Sequence, residues 1–468
     1  MASPILNFAE AEAKIDQFIA ENEDALVADI AALVAVPSVE GPAAKGAPFG
    51  AGPRQALDAA LAIAKRLGLA TQDGAGYVGW AELPGRQPGV LATIAHLDVV
   101  PAADGWTGDA FTLRRRDGWL IGRGVQDDKG PAVLCLYALK CLAALQGTPR
   151  YTLRALLGGN EETGMADVQH YLGAEGQPLF CFSPDANFPV CNGEKGVFEG
   201  NFVSGPLAGG DFLEFEGGVA SNVIPDKATC LLRGRPALPA EAGITLAVEG
   251  ENTRITATGV GGHAASPERS RNAIGILVAY LRAGMLGSPA EQGFLALLAA
   301  LHSATDGSGL GIACSDGRFT PLTCIGGTIR LENGRLTQNV NIRYPGCTSA
   351  GQLVETLNRR ATARGAAFTD VFDAPPFYIP ADSPAIQTLL NTWNEVSGRQ
   401  DAPFTMGGGT YARHFAHAVS YGPADTTEPR PAFAGHEHMA DEAVSLASLR
   451  QALKVYTLAL LRLQEIDF

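Results

Sequence analysis

The sequence predicts an α/β protein in which a mixed, largely parallel sheet is flanked by helices and an α+β domain is inserted. The first observation is an alternation of short apolar runs with amphipathic stretches over residues 89–197. The second is a change of character over residues 198–375, where alternating strand patterns mix with helical stretches. The third is the return of helical and loop patterns toward the C-terminus. We therefore assign residues 1–197 and 376–468 to one domain and residues 198–375 to the other.

Composition is that of a folded protein. The chain has 468 residues, which is too long for one ordinary core, and its 46% apolar and 18% charged residues are typical of globular proteins. The net charge of −14 disfavours nucleic acid and membrane surfaces as partners and is compatible with cation binding. The N-terminus has no basic residue before Lys14, so we expect no signal peptide. The apolar runs are too short to span a bilayer, and we expect a cytoplasmic protein.

The eight cysteines include no C-x-x-C pair, and most lie among apolar neighbours. We interpret them as buried free thiols in a reducing compartment, because a disulfide framework is unusual in a chain of this length. They are Cys135, Cys141, Cys181, Cys191, Cys230, Cys314, Cys324 and Cys347.

Periodicity predicts the elements that lead to the first strand ends. Residues 8–35 repeat apolar positions at spacings of three, four and seven, which predicts a helix that Pro37 ends. A second helix is expected over residues 53–67. The apolar run VLATIA, which ends at His96, predicts a buried strand. Pro131 is expected to open the next helix, because proline is tolerated best at the first helical position.

The inserted segment and the C-terminus carry their own patterns. ITLAVEG and RITATG alternate apolar and polar residues around ENT, which predicts a hairpin. Helical stretches are expected over residues 272–285 and 290–303. Residues 445–463 predict a final amphipathic helix.

Residues with metal-binding chemistry follow the predicted strands. His96 and Asp98 are two residues apart, so Asp98 is expected to face His96 and to fix its tautomer. Alone, this pattern is more often a satisfied buried histidine. Asp127 and Asp128 precede a helix, where they either cap it or use a carboxylate to bridge two metals.

Glu161 and Glu162 follow a strand whose only charged residue is Arg154. Two adjacent carboxylates at a buried strand end repel each other unless a cation lies between them. One would then be a metal ligand and the other a general base, whereas the alternative is a solvated pair at a helix start. Asp185 is a third acid at a strand end.

Two histidine pairs compete for the remaining ligand position. His436 and His438 open the last segment, and either could bind metal. His414 and His417 are one helical turn apart, although such pairs usually lie on a helix surface. Histidine, aspartate and glutamate are ligands that zinc accepts, and two metals need about this many when one carboxylate is shared.

Seven motifs occur in order over nearly the full chain: HLDVVP, GRGVQDDKGP, NEETG, SPDANFPVCNGEKG, GGHAAS, TQNVNIRYP and HEHMADE. Together they resemble the dizinc exopeptidases that include carnosinase, aminoacylase and succinyl-diaminopimelate desuccinylase. The stretch GAPFGAGPRQALDAAL is similar to the dipeptidase V branch. The resemblance implies a zinc-exopeptidase catalytic domain with an inserted lid domain. It also implies hydrolysis of dipeptides or very short peptides with a free N-terminus by a metal-bridged hydroxide.

The same resemblance implies a role for each motif residue. One zinc would be held by His96 and Asp185, the other by Glu162 and His438, and Asp127 would bridge them. The peptide bond between Asp127 and Asp128 is often cis in this family. Glu161 would be the general base, Asp98 would orient His96, and His263 would stabilise the oxyanion.

Substrate contacts are implied in the inserted domain and beyond it. Asn339, Asn341 and Arg343 alternate along one strand and should share a face, so Arg343 is either a surface residue or a clamp for a carboxylate. The resemblance favours the clamp. It also implies that substrate binding involves Asn222 and the loop Gly407, Gly408, Gly409 and Thr410, with Arg413 as a support.

The chain departs from the family pattern at two positions. Asn187 replaces an acid that some members carry, and His436 competes with His438, which the H-x-x-x-E spacing to Glu442 favours. The resemblance implies two zinc ions per chain, with manganese or cobalt as alternatives, and a monomer. An N-acyl amino acid deacylase and a catalytically inactive metal-binding protein are the alternative functions.

Overall fold

The computed structural model describes residues 8–207 and 209–468; the expected absence of a signal peptide rests partly on residues 1–7, which lie outside the described residues. In chain order the helices are α1 Phe8–Val34, α2 Ala51–Arg66, α3 Lys129–Gln146, α4 Ala166–Glu175, α5 Ala273–Ala283, α6 Pro289–Leu301, α7 Ala350–Thr362, α8 Pro384–Ser397 and α9 Leu446–Leu463.

The strands are short and numerous. In chain order they are β1 Ala70–Gly74, β2 Val78–Leu83, β3 Val90–His96, β4 Arg114–Arg116, β5 Trp119–Ile121, β6 Thr152–Gly158, β7 Phe180–Ser183, β8 Ala186–Asn187, β9 Cys191–Glu194, β10 Gly196–Val203, β11 Phe212–Gly217, β12 Val223–Ile224, β13 Lys227–Leu232, β14 Ile244–Glu249, β15 Asn252–Thr258, β16 Gly262–His263, β17 Thr323–Ile325, β18 Ile329–Glu332, β19 Arg335–Tyr344, β20 Ala367–Ala374, β21 Phe377–Tyr378, β22 Phe404–Met406, β23 Ala418–Ser420, β24 Pro423–Ala424 and β25 Ala443–Ser445.

The chain forms two compact units. The first unit contains the residues up to Asn192, Ile379–Phe404 and Thr410–Phe468. The second unit contains Gly193–Tyr378 and Thr405–Gly409. The sequence-based boundaries follow residues 197 and 375, whereas this division falls after Asn192 and Tyr378 and assigns Thr405–Gly409 to the second unit as well.

The sheet of the first unit brings strand ends together. Its strands begin in the order β1-β2-β6-β3-β7-β23. Strand β3 runs parallel to both β6 and β7, as the pairs Ala95↔Leu157 and Thr93↔Phe182 show. The carboxyl ends of these three strands therefore lie at one edge of the sheet, where ligands gather in open α/β folds. Helices accompany the sheet, and the predicted α/β class is confirmed.

Helices α3 and α9 belong to the core of the first unit. Leu136 and Leu453 are among its buried side chains, and fully burying one leucine stabilises the fold by about 1.5–3 kcal/mol. Helix α9 begins where the sequence predicts, because the Ser445 hydroxyl accepts a hydrogen bond from the Ser448 amide. Among the described residues no helix is both long enough and apolar enough to cross a membrane.

Helix α3 starts earlier than predicted. It begins at Lys129, so Pro131 is its third residue and not the residue that opens it. The first four amide groups of a helix have no intrahelical acceptor, and proline at the third position therefore costs no hydrogen bond. As a consequence, Asp127 and Asp128 directly precede the helix.

The second unit is built on an antiparallel sheet of strand order β14-β15-β13-β11-β18-β19-β10-β20. Strands β14 and β15 form the predicted hairpin. Helices α5 and α6 are capped by Asn272 and Ser288, whose side chains accept backbone hydrogen bonds, and both helices contribute to a separate core. Both lie within two residues of the predicted helical stretches.

The cysteines are not all free thiols. Cys314 and Cys347 form a disulfide with a Cα–Cα distance of 6.3 Å, so their interpretation as free thiols was wrong. The two residues are distant in sequence, and a pairing that depends on the tertiary fold leaves no local pattern. The other six are buried and lie outside this disulfide, as predicted.

Candidate metal centre and active site

The acids and histidines of the first unit come from five different loops or strand ends. His96 is the last residue of β3, Asp127 lies between β5 and α3, Glu161 and Glu162 follow β6, Asp185 follows β7, and His438 precedes β25. The parallel arrangement of β3, β6 and β7 brings His96, Glu161, Glu162 and Asp185 to one sheet edge. Asp127 and His438 come from loops beside β5 and β25, which pair in a separate three-stranded sheet.

Asp127 lies between the two histidines. Its Oδ1 is 2.8 Å from Nε2 of His96, and its Oδ2 is 3.0 Å from Nε2 of His438. One carboxylate thus presents one oxygen to each imidazole. The Asp127–Asp128 peptide bond is cis, as the family resemblance implies.

Each histidine has a second carboxylate beside it. Asp185 Oδ2 lies 3.9 Å from His96 Nε2, and Glu162 Oε1 lies 3.1 Å from His438 Nε2. Each imidazole therefore has two carboxylates beside it, and Asp127 is common to both. Ligand atoms of His96, Asp127 and Glu162 all lie within 4.8 Å of one another.

Glu161 is a fourth carboxylate of the cluster. One of its oxygens lies within 4.8 Å of ligand atoms of both His96 and Asp185. Glu161 is therefore close enough to the cluster to exchange a proton with a water molecule there.

The cluster concentrates negative charge away from solvent. Burial and then the carboxylate of Asp185 raise the pKa of Glu161 well above its usual range. Burial and then Asp127 raise the pKa of Asp185 in the same way. Hydrogen bonds with Asp127 and Glu162 raise the pKa of His438 to about 11. Each of these pKa directions indicates acids that need positive charge, from protons or from cations, to remain together.

The donor set fits metal ions well. Two imidazoles and four carboxylates converge, and nitrogen and oxygen donors of these types are the ones that zinc and neighbouring divalent metals accept. The side chains of His96 and Asp127 are 1% and 13% exposed, which leaves little solvent to compensate the charges.

Asp98 contacts His96 through its backbone. Nδ1 of His96 lies 2.9 Å from the carbonyl oxygen of Asp98 and 3.6 Å from its carboxylate. The carboxylate instead accepts hydrogen bonds from the amides of Glu161 and Glu162, at 3.1 and 3.0 Å. Its side chain therefore fixes the backbone of both glutamates, whereas its carbonyl orients the imidazole.

The competing histidines lie elsewhere. His436 is 63% exposed and has Glu437 at 3.9 Å, so the geometry favours His438 as the ligand. His414 contacts Gln169 and Met165, and His417 is exposed. Asn187 lies on β8, beside β24, and follows the loop that carries Asp185.

The predicted substrate residues of the second unit occupy two places. His263 on β16 pairs with Val223 on β12, directly after Asn222. Arg343 is only 6% exposed, and its Nη1 lies 3.4 Å from the carbonyl oxygen of Gly407. Its Nε donates to Oδ1 of Asn341 at 3.0 Å, which confirms that these two residues share a strand face.

The remaining members of the glycine-rich loop divide between the units. Gly408 and Gly409 belong to the second unit, and Thr410 belongs to the first. The Thr410 hydroxyl lies 2.9 Å from the Ser420 hydroxyl and accepts a hydrogen bond from the Ala412 amide.

Asp167 is a supporting residue that the sequence did not reveal. It is fully buried, and its Oδ2 accepts hydrogen bonds from the amides of Gly159 and Asn160 at 2.7 and 3.0 Å and from the Tyr411 hydroxyl. These bonds hold the turn that leads to Glu161. In the sequence, an acid in the first turn of a helix is explained by the helix dipole alone, so no local signal points to this role.

Known proteins resemble this chain in sequence and in fold. Residues 92–462 match the model described as peptidase family M20/M25/M40. A Beta-Ala-Xaa dipeptidase from Lactobacillus delbrueckii subsp. lactis is 31% identical, over 97% of this chain and 98% of that protein. Human carnosine dipeptidase 1 has a similar fold, with a TM-score of 0.63 and 15% identity over 97% of this chain and 99% of the other. The dipeptidase Dug1p of Saccharomyces cerevisiae has a TM-score of 0.61 and 12% identity over 98% and 99% of the two chains.

Proposed function

This chain belongs to peptidase family M20/M25/M40, and we propose that it is a two-metal dipeptidase that acts on short peptides with a free N-terminus. One observation carries the proposal: Asp127 presents one carboxylate oxygen to His96 and the other to His438. A bridging carboxylate allows two neighbouring metal ions to share one ligand while each keeps further ligands of its own.

His96 and Asp185 would hold one ion, and Glu162 and His438 would hold the other, with Asp127 shared. Mixed nitrogen and oxygen donors favour zinc, and manganese and cobalt accept the same donors. When bound, the two ions supply Lewis-acid chemistry, which makes water more acidic and polarises the scissile carbonyl.

Glu161 is the general base in this proposal. Its carboxylate takes a proton from the attacking water as the C–O bond forms, and it then gives a proton to the leaving nitrogen as the C–N bond breaks. Asp98 holds the amides of Glu161 and Glu162, which keeps the base and the metal ligand at fixed positions. His263 would stabilise the oxyanion.

Substrate recognition is assigned to residues that are not proposed metal ligands. The buried guanidinium of Arg343, oriented by Asn341, would bind the terminal carboxylate of the peptide, for which a planar, bidentate donor is suited. Asn222, Gly408, Gly409 and Thr410 would complete the contacts. We further propose that the protein works as a monomer in the cytoplasm.

A substrate panel with metal removed and restored tests the function. The chelated protein should cleave nothing, and zinc, manganese or cobalt should restore hydrolysis of unblocked dipeptides. N-acetylated dipeptides and long peptides should be poor substrates. Faster release of acetate from N-acetyl amino acids would instead identify a deacylase, and binding of metal without any hydrolysis would identify an inactive metal-binding protein.

A further inference from the structure

A buried ion pair is bonded to the backbone of two residues of the metal centre. Nη1 of Arg123 is 2.8 Å from Oε2 of Glu442, and the two side chains are 1% and 0% exposed. The partners are separated by 319 residues, and one precedes Asp127 while the other follows His438. The proposed reaction gives neither a part.

Glu442 accepts four hydrogen bonds, two on each carboxylate oxygen. Oε1 accepts from the amides of Gln126 and Asp127 at 3.0 and 3.2 Å. Oε2 accepts from the Gly124 amide at 3.0 Å and from Arg123. The carboxylate therefore fixes the backbone of the loop that ends at the bridging residue.

Arg123 also bonds to the backbone of the segment that carries His438. Its Nη2 donates to the carbonyl oxygen of His438 at 3.3 Å and lies 3.5 Å from that of Pro101. The same ion pair is thus bonded to the backbone of Asp127 and to the backbone of His438. These are the two residues whose side chains meet at 3.0 Å in the metal centre.

Stabilisation of the fold does not by itself explain why an ion pair is buried at this position. Removing two charges from water costs several kcal/mol per ion, and apolar residues of similar volume often stabilise a fold as well or better. A buried ion pair that also bonds two ligand loops has a second effect, since it sets their separation. Residues that orient metal ligands typically change metal affinity by about 10–100-fold when replaced.

We propose that Arg123 and Glu442 are positioning residues that set the distance between the bridging Asp127 and His438. They would thereby set the affinity for the second metal ion, which is the ion that Glu162 and His438 would hold. The proposal rests on the two-metal site of the proposed function. Its readout is metal affinity and not turnover. A wild-type protein that binds two ions but cleaves no dipeptide would remove the proposed function and leave this proposal intact.

Glu442→Gln is the first test. The amide keeps the shape but offers only one acceptor oxygen, so its NH₂ group must face two of the four donors. Zinc titration, followed by mass spectrometry of the native protein, should show one ion bound as in the wild type and the second bound about 10–100-fold more weakly. The absorption spectrum of the cobalt-substituted variant should change at the second ion only.

Glu291→Gln is the matched control. Glu291 is 1% exposed, lies in the second unit and also accepts backbone hydrogen bonds, from the amides of Asp211, Phe212 and Ser288. This variant should melt at a lower temperature and still bind both ions with wild-type affinity. An equal loss of zinc affinity in Glu291→Gln would overturn the proposal, because general destabilisation would then be the cause.

Arg123→Lys provides a second variant, which decides the matter if Glu442→Gln does not fold. Lysine keeps the charge but cannot form the planar fork that reaches Glu442 and His438 together. This variant should lower the affinity for the second zinc ion by a similar factor. Wild-type affinity for both ions in whichever variant folds would overturn the proposal.

Discussion

The imidazole of His96 is held by the backbone of Asp98, with Nδ1 at 2.9 Å from the carbonyl oxygen and at 3.6 Å from the carboxylate. The carbonyl belongs to the backbone, so this contact does not depend on the Asp98 carboxylate. The carboxylate accepts hydrogen bonds from the amides of Glu161 and Glu162. Its removal should therefore alter the positions of these two glutamates.

Asp98→Asn tests this division. Asparagine keeps one acceptor oxygen, so one of the two glutamate amides loses its partner while His96 keeps its carbonyl contact. We expect kcat to fall by about 10–100-fold and the ion beside Glu162 to bind more weakly. Steady-state kinetics and metal analysis check this, with the exposed Asp382→Asn as control. Loss of the ion beside His96 alone would contradict the assignment.

Glu161→Gln should separate catalysis from metal binding. The amide cannot accept a proton, so kcat should fall by about two to four orders of magnitude while both ions remain bound. Glu162→Gln is the matched neighbour and should instead lose metal, because Glu162 contacts His438. Turnover near the wild-type rate in Glu161→Gln would show that the base is another group.

His438→Ala should remove one of two metal ions, since its imidazole is in contact with Asp127 and Glu162. Elemental analysis of the purified variant measures the loss. His436→Ala is the natural control, because that ring is 63% exposed, and it should retain both ions. The reverse result would transfer the ligand role to His436.

Arg343→Lys should impair binding of the substrate carboxylate. A charged hydrogen bond of this kind contributes about 1.5–3 kcal/mol, so KM for a dipeptide should rise by about 10–150-fold with a smaller change in kcat. The corresponding dipeptide amide lacks the carboxylate and should be cleaved equally by both proteins. Asn341→Leu should behave similarly, since it removes the acceptor of the Arg343 Nε–H group.

His302 should make the fold sensitive to acid. Burial lowers its pKa to about 4 from a usual 6.5, so the native state holds it neutral while the unfolded chain binds a proton. Its contribution to stability is complete above pH 6.5 and is lost as the pH falls toward 4. The free energy of unfolding should therefore decline by about 2–3 kcal/mol more in the wild type than in His302→Gln over that interval. Urea titrations of metal-free protein measure it, with the exposed His417→Gln as control.

Much of the first unit could be predicted because its signals are local. An apolar run that ends in His96 and acids after the following strands mark sheet-edge positions directly in the sequence. The contacts that support the fold around them join segments that are distant in sequence. Arg123 meets Glu442, and Cys314 meets Cys347, only because the fold joins distant segments, and neither pair has a periodic or motif-like signature.

The order of the proposed ligands along the chain has a consequence for biosynthesis. His96, Asp127, Glu162 and Asp185 are translated first, then the segment Gly193–Tyr378 of the second unit, and His438 only afterwards. A ribosome thus supplies four of the five proposed ligands long before His438. Nascent chains should therefore remain without peptidase activity until late in translation.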